Sequence, residues 1–285
     1  MMKRVEKAGL RALRRKRNPA LITAEDFFTE AEALRKEFAR LINVQDHQRI
    51  AIIPSVSYGV STVAKNIKVG RGDEIVVASE QFPSNYYPWQ TLCNESGAAL
   101  KPVGPEAGTQ DRGKKWNEKI LESINPSTKV VAIAHTHWAD GTRFDLESIR
   151  KRTKDIGALL IIDGTQSVGA MPFDVAIIQP DALICAAYKW LLGPYSIGVA
   201  YFGDFFSNGK PLEESWINRL DRENFSGLIN YQSGYKDGAS RYLFGNATPL
   251  RNPDGSPRGA LAPFVDLTER RPDGDAGGSE QCGDD

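Results

Sequence analysis

The sequence predicts an α/β fold, a mostly parallel sheet with helices on both faces, and three observations lead there. Short apolar runs of strand length recur at 49–53, 74–78, 129–134, 159–163, 183–187 and 197–201. Segments with helical apolar spacing separate several of these runs, and strands alternating with helices imply right-handed parallel crossovers that cover both sheet faces. Two of the runs also end on polar groups, Asp163 after one and Lys189 just past another. In open parallel sheets, loops at the strand ends are free of the hydrogen-bond ladder and meet in a shared crevice.

With 285 residues, 41% of them apolar and 25% charged, the chain can bury a large core and is not disordered as a whole. Its 36 basic and 36 acidic residues balance, so no general attraction to nucleic acid or to an anionic membrane is expected. Any anion must then be held by local groups. Cys93, Cys185 and Cys282 are scattered without a CxxC pair, and Cys185 lies in an apolar run. This pattern suits a reduced, cytoplasmic setting. No apolar run approaches the ~20 residues that span a bilayer, and no signal-peptide pattern opens the chain.

Residues 1–22 read as a basic N-terminal segment, with Lys3, Arg4, Lys7, Arg11, Arg14, Arg15, Lys16 and Arg17 against a single Glu6. Leu10 and Leu13 hint at amphipathicity, and an Arg-rich, acid-poor start also fits a mitochondrial leader. A solvated or frayed terminus is the plainer expectation. Thr23 and Asp26 have capping-box spacing, and Phe27, Ala31, Leu34, Phe38 and Leu41 recur at helical spacing, predicting a helix over 24–42. That stripe is core packing.

The strand at 49–53 turns through Pro54-Ser-Val-Ser57-Tyr58-Gly59 into a helix with Val60, Val63, Ala64 and Ile67 on one face. Hydroxyl residues at a helix N-terminus either cap it or, with its free N–H groups and dipole, bind an anion. After the strand at 74–78, Phe82 opens an aromatic loop, where it could stack on a planar ring or staple the loop to the core. Residues 101–115 read as a surface loop and 118–124 as a short helix.

The strand at 129–134 leads into His135-Thr-His137-Trp138-Ala-Asp140. Alternate residues of a strand share a face, so His135 and His137, with Asp140 from the turn, could form a metal site of a metal-dependent hydrolase. The other histidine, His47, is remote in sequence. Asp145 then caps a helix that Gly157 ends.

Asp163 and Lys189, aimed at one crevice, are the two groups a pyridoxal phosphate (PLP) enzyme needs. The amine forms the Schiff base, and the carboxylate keeps the pyridinium nitrogen protonated. Beyond Tyr201 the periodicity weakens. Residues 213–246 are aromatic, polar and punctuated by glycine, like the surface of a site. The large domain is expected over 23–250, with 251–285 a disordered Gly/Pro/Asp-rich tail.

The order strand, Asp163-Gly-Thr-Gln166, Met171-Pro-Phe-Asp-Val, strand, Tyr188-Lys189, Gly193-Pro194, strand resembles the core of the class V aminotransferases. These are fold-type I PLP enzymes that include cysteine desulfurases, isopenicillin-epimerase-like enzymes and kynureninases. The resemblance implies Asp163 as the pyridinium partner, Gln166 as a hydrogen bond to the ring's phenolic oxygen and Lys189 as the Schiff-base lysine. It places Ser57 and Tyr58 at the phosphate turn, Phe82 on the ring and Tyr188 where desulfurases carry His. Trp138 stands where the family commonly has Asn, and would wall the substrate pocket instead. A homodimer is implied, and the family's small C-terminal domain is expected to be missing here. The activity implied is that of a transferase acting on an amino acid, with lyase, desulfurase or epimerase chemistry as alternatives. A catalytically silent relative serving as a binding module is a further alternative. Desulfuration would need a nucleophilic cysteine on a mobile loop, which the setting of Cys282 does not resemble.

Overall fold

The computed structural model describes residues 3–105, 107–242, 248–251 and 257–261. Seven strands form one sheet: β1 (Ile50–Ile53), β2 (Glu74–Ala78), β3 (Ala99–Val103), β4 (Thr128–Ala134), β5 (Leu159–Asp163), β6 (Ala182–Ala186) and β7 (Gly198–Phe202). Their order is β1-β7-β6-β5-β4-β2-β3. Strand β7 runs antiparallel to β1 and β6, while β6, β5, β4, β2 and β3 pair parallel. The expected mostly parallel sheet is therefore present, and the C-terminal ends of β2, β4, β5 and β6 gather along one edge.

Alternation along each strand divides the core into two layers. On one face Val131, Ile133, Leu160 and Ile162 pack with Leu34 and Phe38 of α2 (Thr29–Leu41), Trp116 and Ile120 of α5 (Arg112–Ser123), and Ile149 of α6 (Leu146–Ile156). On the other, Val130, Ala132, Ile161 and Ile184 pack with Val60 and Val63 of α3 (Val56–Lys65) and with Trp89 and Cys93 of α4 (Tyr87–Ser96). Helix α3 comes close because Gly59 has no side chain. A Cβ there would lie 2.7 Å from Ile184 Cγ2 and 2.8 Å from Ile53 Cδ1.

Several elements differ from expectation. Residues Lys3–Arg15 form a helix, α1, with Val5 and Ala8 buried, in place of a frayed terminus. Arg15 ties it to the body through ion pairs with Asp26 and Glu30. The helix expected from residue 24 begins as a 3-10 turn, Ala24–Phe27, whose Asp26 carboxylate accepts from the Thr23 N–H at 2.8 Å and from its hydroxyl at 3.1 Å. The α-helix follows only from Thr29. Lys101 and Pro102, read as loop, belong to β3. This strand ends the sheet order and has one neighbour, where charge and a missing N–H are tolerated. The aromatic segment after Phe82 continues into α4, ended by Gly97 in the left-handed region at φ +78. A short helix, α7 (Val175–Ile178), is capped by Asp174, which accepts from the Ala176 N–H at 2.8 Å.

Residues Thr248–Arg251 and Pro257–Leu261 pair as an antiparallel hairpin, β8 and β9. The remainder of the expected tail over 251–285 lies outside the described residues. No helix among the described residues is long and apolar enough to cross a membrane.

Candidate active site

At the C-terminal edge of the sheet a crevice of about 230 Å³ opens. It is built from five segments: the turn into α3 (Ser55, Val56), the loop after β2 (Gln81, Phe82, Ser84), the end of β4 (Thr136, Trp138) and the two loops carrying Asp163 and Lys189. Both charged residues line the same space, as parallel β5 and β6 require of neighbouring strand ends.

The Asp163 loop is fixed by its backbone. The Thr165 N–H donates to Asp163 Oδ1 at 2.9 Å, the Gly164 N–H to the Ile184 carbonyl at 2.9 Å, and the Ala186 N–H to the Thr165 hydroxyl at 3.0 Å. Glycine is needed at 164, where a Cβ would lie 2.7 Å from Val168 Cγ2 and 2.8 Å from Cys185 Sγ. Asp163 is 7% exposed. Burial pushes its carboxyl above the usual range, opposed by the Thr165 hydrogen bonds and by the nearby Lys189 charge. A desolvated carboxyl of this kind gains most from a cationic partner.

Lys189 sits in the turn after β6, where the Leu192 N–H donates to its carbonyl at 3.0 Å and Leu192 takes φ +59. Beside it Tyr188 stacks on Tyr195, centroids 4.5 Å apart and planes 21° apart. Burial, then Tyr195 and Asp163, raise the Tyr188 hydroxyl's pKa. Phe82 meets Trp138 edge to face at 5.5 Å, forming an aromatic wall.

Phe82, Trp138, Asp163, Gln166, Tyr188 and Lys189 thus share one crevice. Ser57 and Tyr58 do not line it. Ser57 faces the groove between α3 and α4, and Tyr58 is half-buried toward Tyr242, its hydroxyl pushed up to about 12 by burial and then by Glu213. Their neighbours Ser55 and Val56 take the crevice positions. Ser55 is the N-cap of α3, its hydroxyl oxygen accepting from the Tyr58 N–H at 3.1 Å, so the positive end of the helix dipole opens on the crevice.

The histidine pair does not make a metal centre, and no group of three His, Cys, Asp or Glu suited to a metal exists among the described residues. His137 is spent on structure: Nδ1 lies 3.1 Å from Asp140 Oδ1 and Nε2 3.0 Å from the Glu80 carbonyl. His135 is buried against Phe173, its basicity pushed down to about 4 by burial and then by Arg143.

Sequence reasoning passed over Gln81, Thr165 and Tyr195. Gln81 is 8% exposed and lines the crevice, yet a glutamine carries no sequence signal that separates a surface residue from a buried one. Only the Asp163-Gly-Thr turn could have pointed to Thr165.

The groups present fit PLP. A buried carboxyl suits the ring nitrogen, an amine the aldehyde carbon, a helix N-terminus the phosphate, and an aromatic wall the ring.

Comparison with known proteins agrees. The profile of the Aminotransferase class-V family, whose members are PLP-dependent, matches residues 18–214. A probable cysteine desulfurase of Methanothermobacter thermautotrophicus is 31% identical over 168 residues, 59% of this chain and 40% of that protein. The chain therefore spans about two fifths of the length of such curated relatives. The apo structure of cysteine desulfurase from Thermococcus onnurineus NA1 superposes with a TM-score of 0.63 at 26% identity, over 75% of this chain and 51% of the other. The cystine C-S lyase C-DES, solved with its reaction product cysteine persulfide, shares the fold at TM-score 0.66 and 24% identity, over 75% and 55% of the two chains. With the family profile covering the sheet, the crevice and both of its charged residues, the chain belongs to the class V aminotransferase family.

Proposed function

We propose that this chain binds PLP through Lys189 and cleaves a carbon–sulfur bond of a sulfur-containing amino acid. The observation that carries the cofactor assignment is the meeting of Asp163, Lys189 and the α3 N-terminus in one crevice. Relatives named as cysteine desulfurases and a fold neighbour named as a cystine C-S lyase support lyase chemistry over transamination. When bound, PLP supplies the electron sink that loosens bonds at the α-carbon.

The protein's share of the work follows from its own groups. Asp163 would pair with the ring nitrogen and keep it cationic, and Ser55 with the first turn of α3 would hold the phosphate. The Lys189 amine would hold the cofactor and, once freed by the incoming amine, carry the α-proton. Phe82 and Trp138 would exclude water on one side and Tyr188 with Tyr195 on another. Cys93 and Cys185 are buried and neither lines the crevice, so among the described residues no thiol stands ready to take up sulfur.

The test is to add PLP to the purified chain, record its visible absorbance, reduce with borohydride and map the modified peptide. Label on Lys189 is expected. A protein that is folded by circular dichroism yet stays colourless would overturn the cofactor assignment. Incubation with cysteine and cystine should then release a sulfur product without a keto-acid co-substrate, whereas strict dependence on a keto acid would overturn the lyase assignment.

A homodimer belongs to the same proposal. Tyr195, Trp190 and Trp138, which are 77%, 51% and 47% exposed, put aromatic surface in and beside the crevice, as expected of a face covered by a second copy. A monomer by sedimentation that still turns over substrate would refute it.

A further inference from the structure

We propose that Gln81 recognises the ligand of this site, its side-chain amide held to donate to an acceptor oxygen on the bound cofactor or on the substrate's carboxylate. The inference rests on the PLP reading above and adds a recognition group to it.

Gln81 is 8% exposed and lines the crevice, next in sequence to Phe82 of the aromatic wall. Its two amide atoms are not equivalent. Oε1 accepts from the Phe82 N–H at 3.2 Å, which fixes the orientation of the amide and leaves Nε2 as the unused end. Nε2 is buried and has no hydrogen-bond partner among the described residues. Buried donors are rarely left without an acceptor, and an NH₂ group can only donate. The missing partner is therefore an acceptor, and the crevice is where a molecule carrying one would sit.

The backbone before it shows that this placement is held deliberately. Glu80 is a non-glycine residue in the left-handed region, φ +54. Its carbonyl is gripped by His137 Nε2 at 3.0 Å and by the Trp138 indole N–H at 2.8 Å. Its carboxylate accepts from Arg112 at 3.1 Å, and Arg112 donates in turn to Asp140 at 2.8 Å, the same carboxylate that stands beside His137 Nδ1. His137, the second histidine of the segment that resembled a metal motif, is thus with Trp138 a clamp on Glu80. Strain of this kind persists where the surroundings enforce it, and here the enforced residue directly precedes the unpaired donor.

The test uses Gln81→Glu, which keeps the acceptor for the Phe82 N–H but removes the free donor, and Gln81→Met as a second variant. Circular dichroism and thermal melting establish that each is folded. PLP dissociation constants are read from absorbance titration. Binding of L-alanine and of ethylamine, which lacks the carboxylate, is then read from perturbation of the cofactor spectrum. A PLP affinity lowered about tenfold in the variants assigns the acceptor to the cofactor. Unchanged PLP affinity, with alanine weakened about tenfold and ethylamine unaffected, assigns it to the substrate carboxylate. If all three affinities stay within about twofold of the parent, the proposal is overturned and the PLP reading stands. If the parent chain itself takes up no PLP, both fall.

Discussion

The Thr165 hydroxyl accepts the Ala186 N–H at 3.0 Å, joining the loop that carries Asp163 to the last residue of the strand that leads to Lys189. With the Gly164 N–H donating to the Ile184 carbonyl at 2.9 Å, this buried bond sets the two charged groups of the crevice against each other through adjacent strand ends, and their spacing does not depend on contact between the side chains themselves.

Removing that acceptor should be felt in both stability and binding. Thr165→Val keeps the shape but strands the buried Ala186 N–H, and a loss of about 1–3 kcal/mol is expected in denaturant unfolding of the apo protein. PLP affinity should fall in parallel. A variant as stable as the parent would show that this bond is not what fixes the loop.

Asp163 should behave oppositely in stability and in binding. Burial raises its folded pKa, so the native state holds this proton to higher pH than the unfolded chain does. Stability from this group is fully present below the unfolded value of ~3.9 and is lost as pH rises through the folded value. Asp163→Asn should accordingly melt at or above the parent temperature near neutral pH while binding PLP far more weakly. Thermal melts of both apo proteins from pH 4 to 8 decide it, and an Asn variant that melts well below the parent would refute the argument.

His135 adds an acid sensitivity of opposite sign. It is held neutral in the fold down to about pH 4, by burial and then by Arg143, whereas the unfolded chain protonates near 6.5. The unfolded state therefore binds the extra proton between these values, and stability falls as pH drops from ~6.5 toward 4. In His135→Gln this part of the slope should vanish, leaving only the carboxylate contributions. Urea midpoints at pH 7, 6 and 5 for both proteins check it.

Gly59 is a packing prediction. An added Cβ meets Ile184 and Ile53 at under 3 Å, both in the sheet beneath α3. Gly59→Ala should cost about 1–3 kcal/mol through overpacking, despite the better helix propensity of alanine. Because α3 opens on the crevice, its displacement should also weaken PLP binding. A neutral or stabilising effect would show that α3 shifts without penalty.

Much of this architecture was legible in the chain itself. Strands β2, β4, β5, β6 and β7 are continuous apolar runs because both of their faces are covered, and such runs need no partner to be recognised. The edge strand β3 was not legible, since Lys101 and Pro102 are permitted only by its having one neighbour. Helix α4 was hidden by its aromatic, proline-containing start.

For the site, the chain alone determined the candidate pair Asp163 and Lys189, because their order relative to two apolar runs places both at the same end of adjacent parallel strands. Only the tertiary structure decided which residues of the α3 turn face the crevice. Ser55 and Val56 rather than Ser57 and Tyr58 do so because the close approach allowed by Gly59 sets the rotation of the helix on the sheet. It also decided that His137 clamps Glu80 and that Nε2 of Gln81 is left without a partner among the described residues. Burial and hydrogen-bond pairing depend on segments far apart in sequence, and no local pattern of residues encodes them.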